Sequence, residues 1–164
     1  MPACSGPFVV VAIMVSLPDL PVTYRPRWGR IVPYSLAVVV LALCTVLAIA
    51  LPGGPHGFRP LDRLGVFGIG VLSSAFLCVL ARPHVIALPS GLRVVNLFRA
   101  RTLEWAEVIQ VNLRSGDPWV LLDLSDGDTL AAMGIQANDG LRAQRAAQEL
   151  QQLVAAHSLT ERDD

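Results

Sequence analysis

Lysine is absent from this 164-residue chain; all thirteen of its basic residues are arginine. We read this as the coding bias of a GC-rich genome and not as a binding signal. Cysteine is scarce, and Cys4, Cys44 and Cys78 lie at spacings that fit neither a metal-ligand set nor a disulfide framework. No glycine-rich phosphate loop occurs, and no serine or cysteine nucleophile stands at a recognisable spacing from His56, His84 or His157. Catalytic residues, a cofactor and a bound metal are therefore not expected, and neither is an enzyme. Charge is missing from two long stretches: Ile31 to Leu51, twenty-one residues, and Leu64 to Ala81, eighteen. A bilayer's hydrocarbon core of about 30 Å needs roughly twenty helical residues to cross it. Both stretches are expected to be membrane-spanning helices.

No ionisable side chain lies inside either span, which argues against a transporter or pump, whose pathways are marked by such groups. The connection 52–63, rich in proline and glycine, cannot continue a helix, and its shortness makes the spans antiparallel neighbours. Seven arginines flank the pair (25, 27, 30, 82, 93, 99 and 101), against Arg59 and Arg63 in the loop. By the positive-inside rule both termini are cytoplasmic and the loop is extracytoplasmic. Gly70, Ser74 and Cys78 recur every four residues and give the second span a small face. Ala42, Thr45 and Ala48 offer a matching strip on the first. Such faces let helices pack closely in lipid, within one hairpin or as the seam of a homo-oligomer. Residues 1–30, with an apolar stretch Phe8–Leu17, are read as an N-terminal tail, and residues 1–13 precede a second methionine, Met14, which is an alternative start.

After Ala81 the pattern changes to short alternating runs bounded by turns. His84–Leu88, Leu92–Phe98, Thr102–Trp105, Val108–Leu113, Trp119–Leu124 and Asp128–Ala132 read as strands, with Asp126-Gly127 a strong hairpin step. Asn138 then suits a helix N-cap. Ala143, Ala146, Ala147, Leu150, Leu153, Val154 and His157 form an apolar stripe at helical spacing, with Arg142, Arg145 and four glutamines on the wet side. Antiparallel strands closed by one amphipathic helix are the order of a pleckstrin-homology (PH)-like barrel. The expected fold is α+β: a transmembrane hairpin (31–51 and 64–81), a PH-like curved antiparallel sheet or barrel with its C-terminal helix (82–157), and a short tail (158–164).

The chain resembles the small actinobacterial membrane proteins with a bacterial PH domain, the low-molecular-weight protein antigen family. The resemblance rests on Tyr24-Arg25-Pro26-Arg27-Trp28 before the first span, the two-helix hairpin, Leu103-Glu104-Trp105-Ala106-Glu107-Val108, and the later hairpin from Trp119 to Gly127. It covers roughly residues 24 to 157. It implies the fold and topology, and no catalytic residues come with it.

Arg93, Arg99 and Arg101 follow the second span closely and are the candidate site for an anionic lipid headgroup, because guanidinium forks suit phosphate. The bland alternative is a positive-inside anchor. Residues 82–164 carry eight arginines against eleven carboxylates, a formal charge of −3, so only a local patch could act and no nucleic-acid partner is expected. Trp105 and Trp119 are expected in the core. Asp123, Ser125, Asp126 and Asp128 fit a hairpin turn and not a calcium loop. The expected function is a binding module tethered at the inner face of the cell membrane, in contact with the bilayer and recruiting or steadying a protein or lipid partner. The alternative is a structural subunit of an envelope complex assembled through the hairpin.

Overall fold

The computed structural model describes residues 19–53 and 57–160, with side chains to His157. The apolar stretch Phe8–Leu17 and the residues around Met14 lie outside the described residues, as do residues 161–164 of the C-terminal tail.

The chain starts a sheet before it enters the hairpin. Strand β1 (Val22–Tyr24) is followed by helices α1 (Trp28–Ala50) and α2 (Pro60–Leu80). Strands β2 (His84–Leu88), β3 (Gly91–Val95) and β4 (Ala100–Leu103) come next. A 3-10 turn (Trp105–Glu107) leads to β5 (Val108–Asn112), β6 (Trp119–Leu124), β7 (Thr129–Gln136) and helix α3 (Leu141–Thr160). Two antiparallel sheets result, in the orders β1-β2-β3-β4 and β5-β6-β7. The tail expected over residues 1–30 therefore does not hold for 22–30. Val22, Thr23 and Tyr24 pair with Ala87, Ile86 and Val85 of β2, and Tyr24 and Pro26 are buried. The two long helices are an insertion between the first two strands of one sheet.

Alternation on each strand sends one face inward. Val85, Ala87, Leu92 and Val94 of one sheet meet Val120, Leu122 and Leu124 of the other, all at most 3% exposed. Helix α3 closes this core with Ala143, Ala147, Leu150, Leu153 and Val154, the stripe read from its spacing. Trp105 is buried, stacks on His157 with ring centroids 4.7 Å apart, and its Nε1–H donates to the carbonyl of Leu88 at 3.2 Å. Trp119, read as core, is half-buried. Gly134 lets β7 cross the start of β2: a Cβ there would stand 2.6 Å from the His84 backbone.

The helices begin earlier than the charge-free runs. Arg27 gives α1 no side-chain cap; instead the Asp139 carboxylate, at the far end of the chain, accepts from Arg27 N at 2.8 Å and Trp28 N at 3.2 Å. That supplies acceptors to N–H groups which a helix start leaves unsatisfied. Helix α2 starts with Pro60 in the first turn, and Asp62 accepts from Arg59 N at 2.8 Å, so part of the expected loop is helix. Arg63 closes the hairpin by donating to the Leu51 carbonyl at 2.6 Å, where α1 ends.

Gly70 lies against Cys44, so close that a Cβ would stand 2.6 Å from the Cys44 Cβ. Ser74 Oγ donates to the Ala37 carbonyl at 2.9 Å. The two residues are used inside the hairpin, whereas Cys78 is exposed. The facing strip on α1 is Ala37, Leu41 and Cys44. Of the strip expected there, Thr45 and Ala48, four residues on from Leu41 and Cys44, are half-buried, Thr45 donating to the Leu41 carbonyl of its own helix, and Ala42 is exposed. The outward sides of both helices stay bare and apolar, with Val38 69%, Ile49 75% and Leu72 73% exposed.

Candidate functional site: an arginine-lined cavity where the hairpin meets the sheets

The sheet separates the three arginines singled out from the sequence. Arg93 lies across from Ile86 and Thr102, on the outward face of β3. Arg101 is paired in register with the inward-facing Val94, hence on the opposite face at the sheet edge. There its Nη2 meets Asp126 at 3.3 Å; the Asp128 backbone N–H first, and this contact second, hold the Asp126 carboxyl below its ordinary pKa. Arg99 is exposed on the turn after β3. None of the cavities described among the described residues is lined by Arg93, Arg99 or Arg101.

A different set converges. Where β1 hands over to α1, Arg25, Arg27, Arg30 and Arg142 line a cavity of about 670 Å³ with Ile31 and Tyr34. Three of the arginines come from one short stretch; the fourth is brought by α3. The junction is firmly built. Pro26 is fully buried beneath it, and Tyr24 beside it has its phenol pushed up to about 12 by burial and the nearby Glu149 carboxylate. The Asp139 bonds to Arg27 N and Trp28 N then hold the start of α3 against the start of α1. A smaller space of about 200 Å³ adjoins, where Arg25 and Arg30 meet Arg82 and His84.

Among the described residues, none of these guanidinium groups lies within ion-pair distance of a carboxylate; the one ion pair found is Arg101–Asp126. The Asp139 oxygens bind the two backbone amides. Carboxylates collect instead at the other end of the sheets, where Ser125 N bonds to the Glu107 carbonyl and joins Glu104 and Glu107 to the Asp126–Asp128 turn. That turn is closed by Asp126 Oδ1 accepting from Asp128 N at 3.0 Å. The globular unit is thus electrostatically polar, with unpaired cations at the hairpin end and anions at the far end. Guanidinium groups gathered without counter-charge form a ready donor site for phosphate or carboxylate oxygens, since each presents a fork of N–H donors.

Sequence reasoning placed Arg25, Arg27 and Arg30 as flanking anchors and Arg142 on a solvated helix face. Their meeting depends on β1. A Val-Thr-Tyr run between Pro21 and Pro26 was the local sign of that strand.

A family profile described as "Bacterial PH domain" matches residues 82–153. The uncharacterized protein Rv1417 of Mycobacterium tuberculosis is 30% identical over 141 residues, covering 85% of this chain and 92% of that protein. The uncharacterized protein Mb1452 of Mycobacterium bovis matches with the same identity and coverage. An alignment of 141 residues is longer than the 83 from Arg82 onward, so part of the likeness precedes the domain match. No solved structure matches the chain.

Proposed function

We propose, because the chain belongs to the bacterial PH-domain family, that its globular part is a binding module which the α1–α2 hairpin anchors in the cell membrane. The supporting observation is the β1–β2 pairing. It ties the entrance of α1 and the exit of α2 to one sheet, so a spanning hairpin leaves both chain ends on one side. The helices have 23 and 21 residues, about 35 and 31 Å at 1.5 Å per residue, which suits a hydrocarbon core of about 30 Å. Their bare apolar sides need a cover that lipid provides. The arginine-rich end then faces the inner leaflet, in keeping with the positive-inside rule, and both termini are cytoplasmic.

In this reading the cavity at the junction binds the anionic headgroup of a lipid, with Arg25, Arg27, Arg30 and Arg142 as the donors. It replaces the set Arg93, Arg99 and Arg101, because Arg101 is engaged with Asp126 and faces away from Arg93. An anionic leaflet attracts each nearby basic residue by about 1 kcal/mol, and the four arginines act in concert on one headgroup. Native mass spectrometry of the detergent-solubilised full chain tests this. The wild type and Arg93→Ala should retain phosphatidylglycerol, and the double variant R25A/R142A should lose it. Equal retention by all three would remove the headgroup reading.

A further inference from the structure

Outside the hairpin helices and their loop, three large apolar side chains are strongly exposed among the described residues: Phe98 at 81%, Leu141 at 71% and Ile109 at 66%. Two of them sit at the hairpin end. Strand β2 leaves α2 after Arg82 and Pro83, and β3 returns antiparallel with Val95 opposite His84. Val95 shares a cavity wall with Arg30, Tyr34 and Ala81. Strand β3 therefore ends level with the second turn of α1 and the end of α2. The turn Asn96–Arg99 starts from that level, closed by Asn96 N donating to the Arg99 carbonyl at 2.8 Å, and it carries Phe98.

The turn is pinned. Asn96 Nδ2 donates to the Ala131 carbonyl at 2.7 Å, and its Oδ1 accepts from Met133 N at 3.1 Å. A bare aromatic ring thus stands on a backbone clamped to the neighbouring sheet. Leu141 opens α3, two residues after the Asp139 that caps α1 and one before the Arg142 that shares a wall with Ile31 and Tyr34. It too lies beside the first turns of α1. Arg99 follows Phe98 and Arg142 follows Leu141 in the chain, and Arg25, Arg27, Arg30 and Arg82 line the cavities at this same end. Ile109 is the contrast: its neighbour Val108 pairs with Leu124, beside the Asp126–Asp128 turn at the acidic end.

If α1 crosses the bilayer, its 23 residues exceed a core of about 30 Å by roughly three residues. The level of Ile31–Tyr34 is then the boundary between headgroups and acyl chains. We propose that the hairpin end of the globular unit is a bilayer-docking face: Phe98 and Leu141 enter the acyl boundary of the leaflet from which the hairpin emerges, and the surrounding arginines contact lipid phosphates. The domain rests on the membrane by its own surface and does not hang from the two helix ends. This rests on the reading that the hairpin spans, but not on the cavity retaining a particular lipid.

Spin labels test it in the full chain, with Cys4, Cys44 and Cys78 replaced by serine, reconstituted in vesicles of phosphatidylcholine and phosphatidylglycerol. Single labels go at Phe98→Cys, Leu141→Cys, Ile109→Cys and, as the span reporter, Val38→Cys, all at exposed positions whose replacement leaves the core intact. Labels at 98, 141 and 38 should be relaxed more by oxygen, which concentrates in lipid, than by an aqueous nickel chelate, and the label at 109 should show the reverse. A lipid signature at 38 with an aqueous one at either 98 or 141 overturns the docking face while leaving the spanning hairpin in place. An aqueous signature at 38 overturns both.

Discussion

Tyr24 shows how one side chain ties the sequence before the hairpin to the domain after it. Its ring is buried with Val85 and α3, and its phenol is held up at about 12 against an ordinary 10.0, by burial first and Glu149 second. The folded state keeps the proton where the unfolded chain has lost it. This contribution is therefore intact below pH 10 and declines as pH rises toward 12. Chemical denaturation of the detergent-solubilised protein should show stability falling across that window in the wild type, with the fall reduced in Tyr24→Phe. The hydroxyl itself should matter by no more than about 1 kcal/mol at neutral pH. Identical slopes in the two proteins would mean that the phenol is not held up by its surroundings. At this scale much was legible in the sequence. Leu92 and Val94 flank Arg93, and Leu122 and Leu124 flank Asp123, because one face of each strand is inward, and Leu150 and Leu153 recur at helical spacing for the same reason. Tyr24 was not legible, since the four residues between Pro21 and Pro26 carry too little periodicity to separate a strand from a tail.

Element boundaries failed where a distant residue decides them. The start of α1 is set by Asp139, more than a hundred residues away, and the start of α2 by charged residues that a search for uncharged runs excludes. The arginine cavity was missed for the same physical reason: Arg142 reaches it only when α3 docks against the α1 entrance. Helix packing was partly legible, because small residues at four-residue spacing mark a close approach wherever it occurs; of the strip expected on α1, Thr45 and Ala48 are half-buried and Ala42 is exposed. Gly70→Leu puts a side chain where a Cβ alone would come within 2.6 Å of the Cys44 Cβ. Overpacking of that kind costs about 1–3 kcal/mol. Gly68, with nothing within 4 Å of its Cβ position, should tolerate leucine within about 0.5 kcal/mol. Thermal unfolding in detergent compares them, and equal midpoints would contradict the observed helix contact.

For the whole molecule, the consequence is that the domain is discontinuous in sequence. The family match begins at Arg82, yet a strand of the first sheet lies before the hairpin. A fragment of residues 82–164 lacks Tyr24 and Pro26 from its core and leaves the β2 edge unpaired. Truncating a buried aromatic ring alone costs about 3–5 kcal/mol, a large share of the roughly 5–15 kcal/mol that holds a domain folded. The fragment should melt without a cooperative transition, and joining residues 19–27 to Arg82 through a short glycine linker should restore one. A stable, cooperative 82–164 fragment would show β1 to be dispensable. The strand order was readable from the sequence and its closure was not, because a sheet whose paired residues lie more than sixty positions apart, Tyr24 with Val85 and Val22 with Ala87, leaves only the short Val-Thr-Tyr run as a local trace.

The most direct test is of sidedness. Single cysteines at Thr23, Phe58 and Ser90, in a chain otherwise free of cysteine, report on β1, the hairpin loop and the far end of the domain. With a membrane-impermeant maleimide and intact cells, position 58 should label, whereas positions 23 and 90 should label only after the membrane is opened. Labelling of 90 in intact cells, or opposite behaviour of 23 and 90, would contradict a domain assembled on the cytoplasmic side around a spanning hairpin.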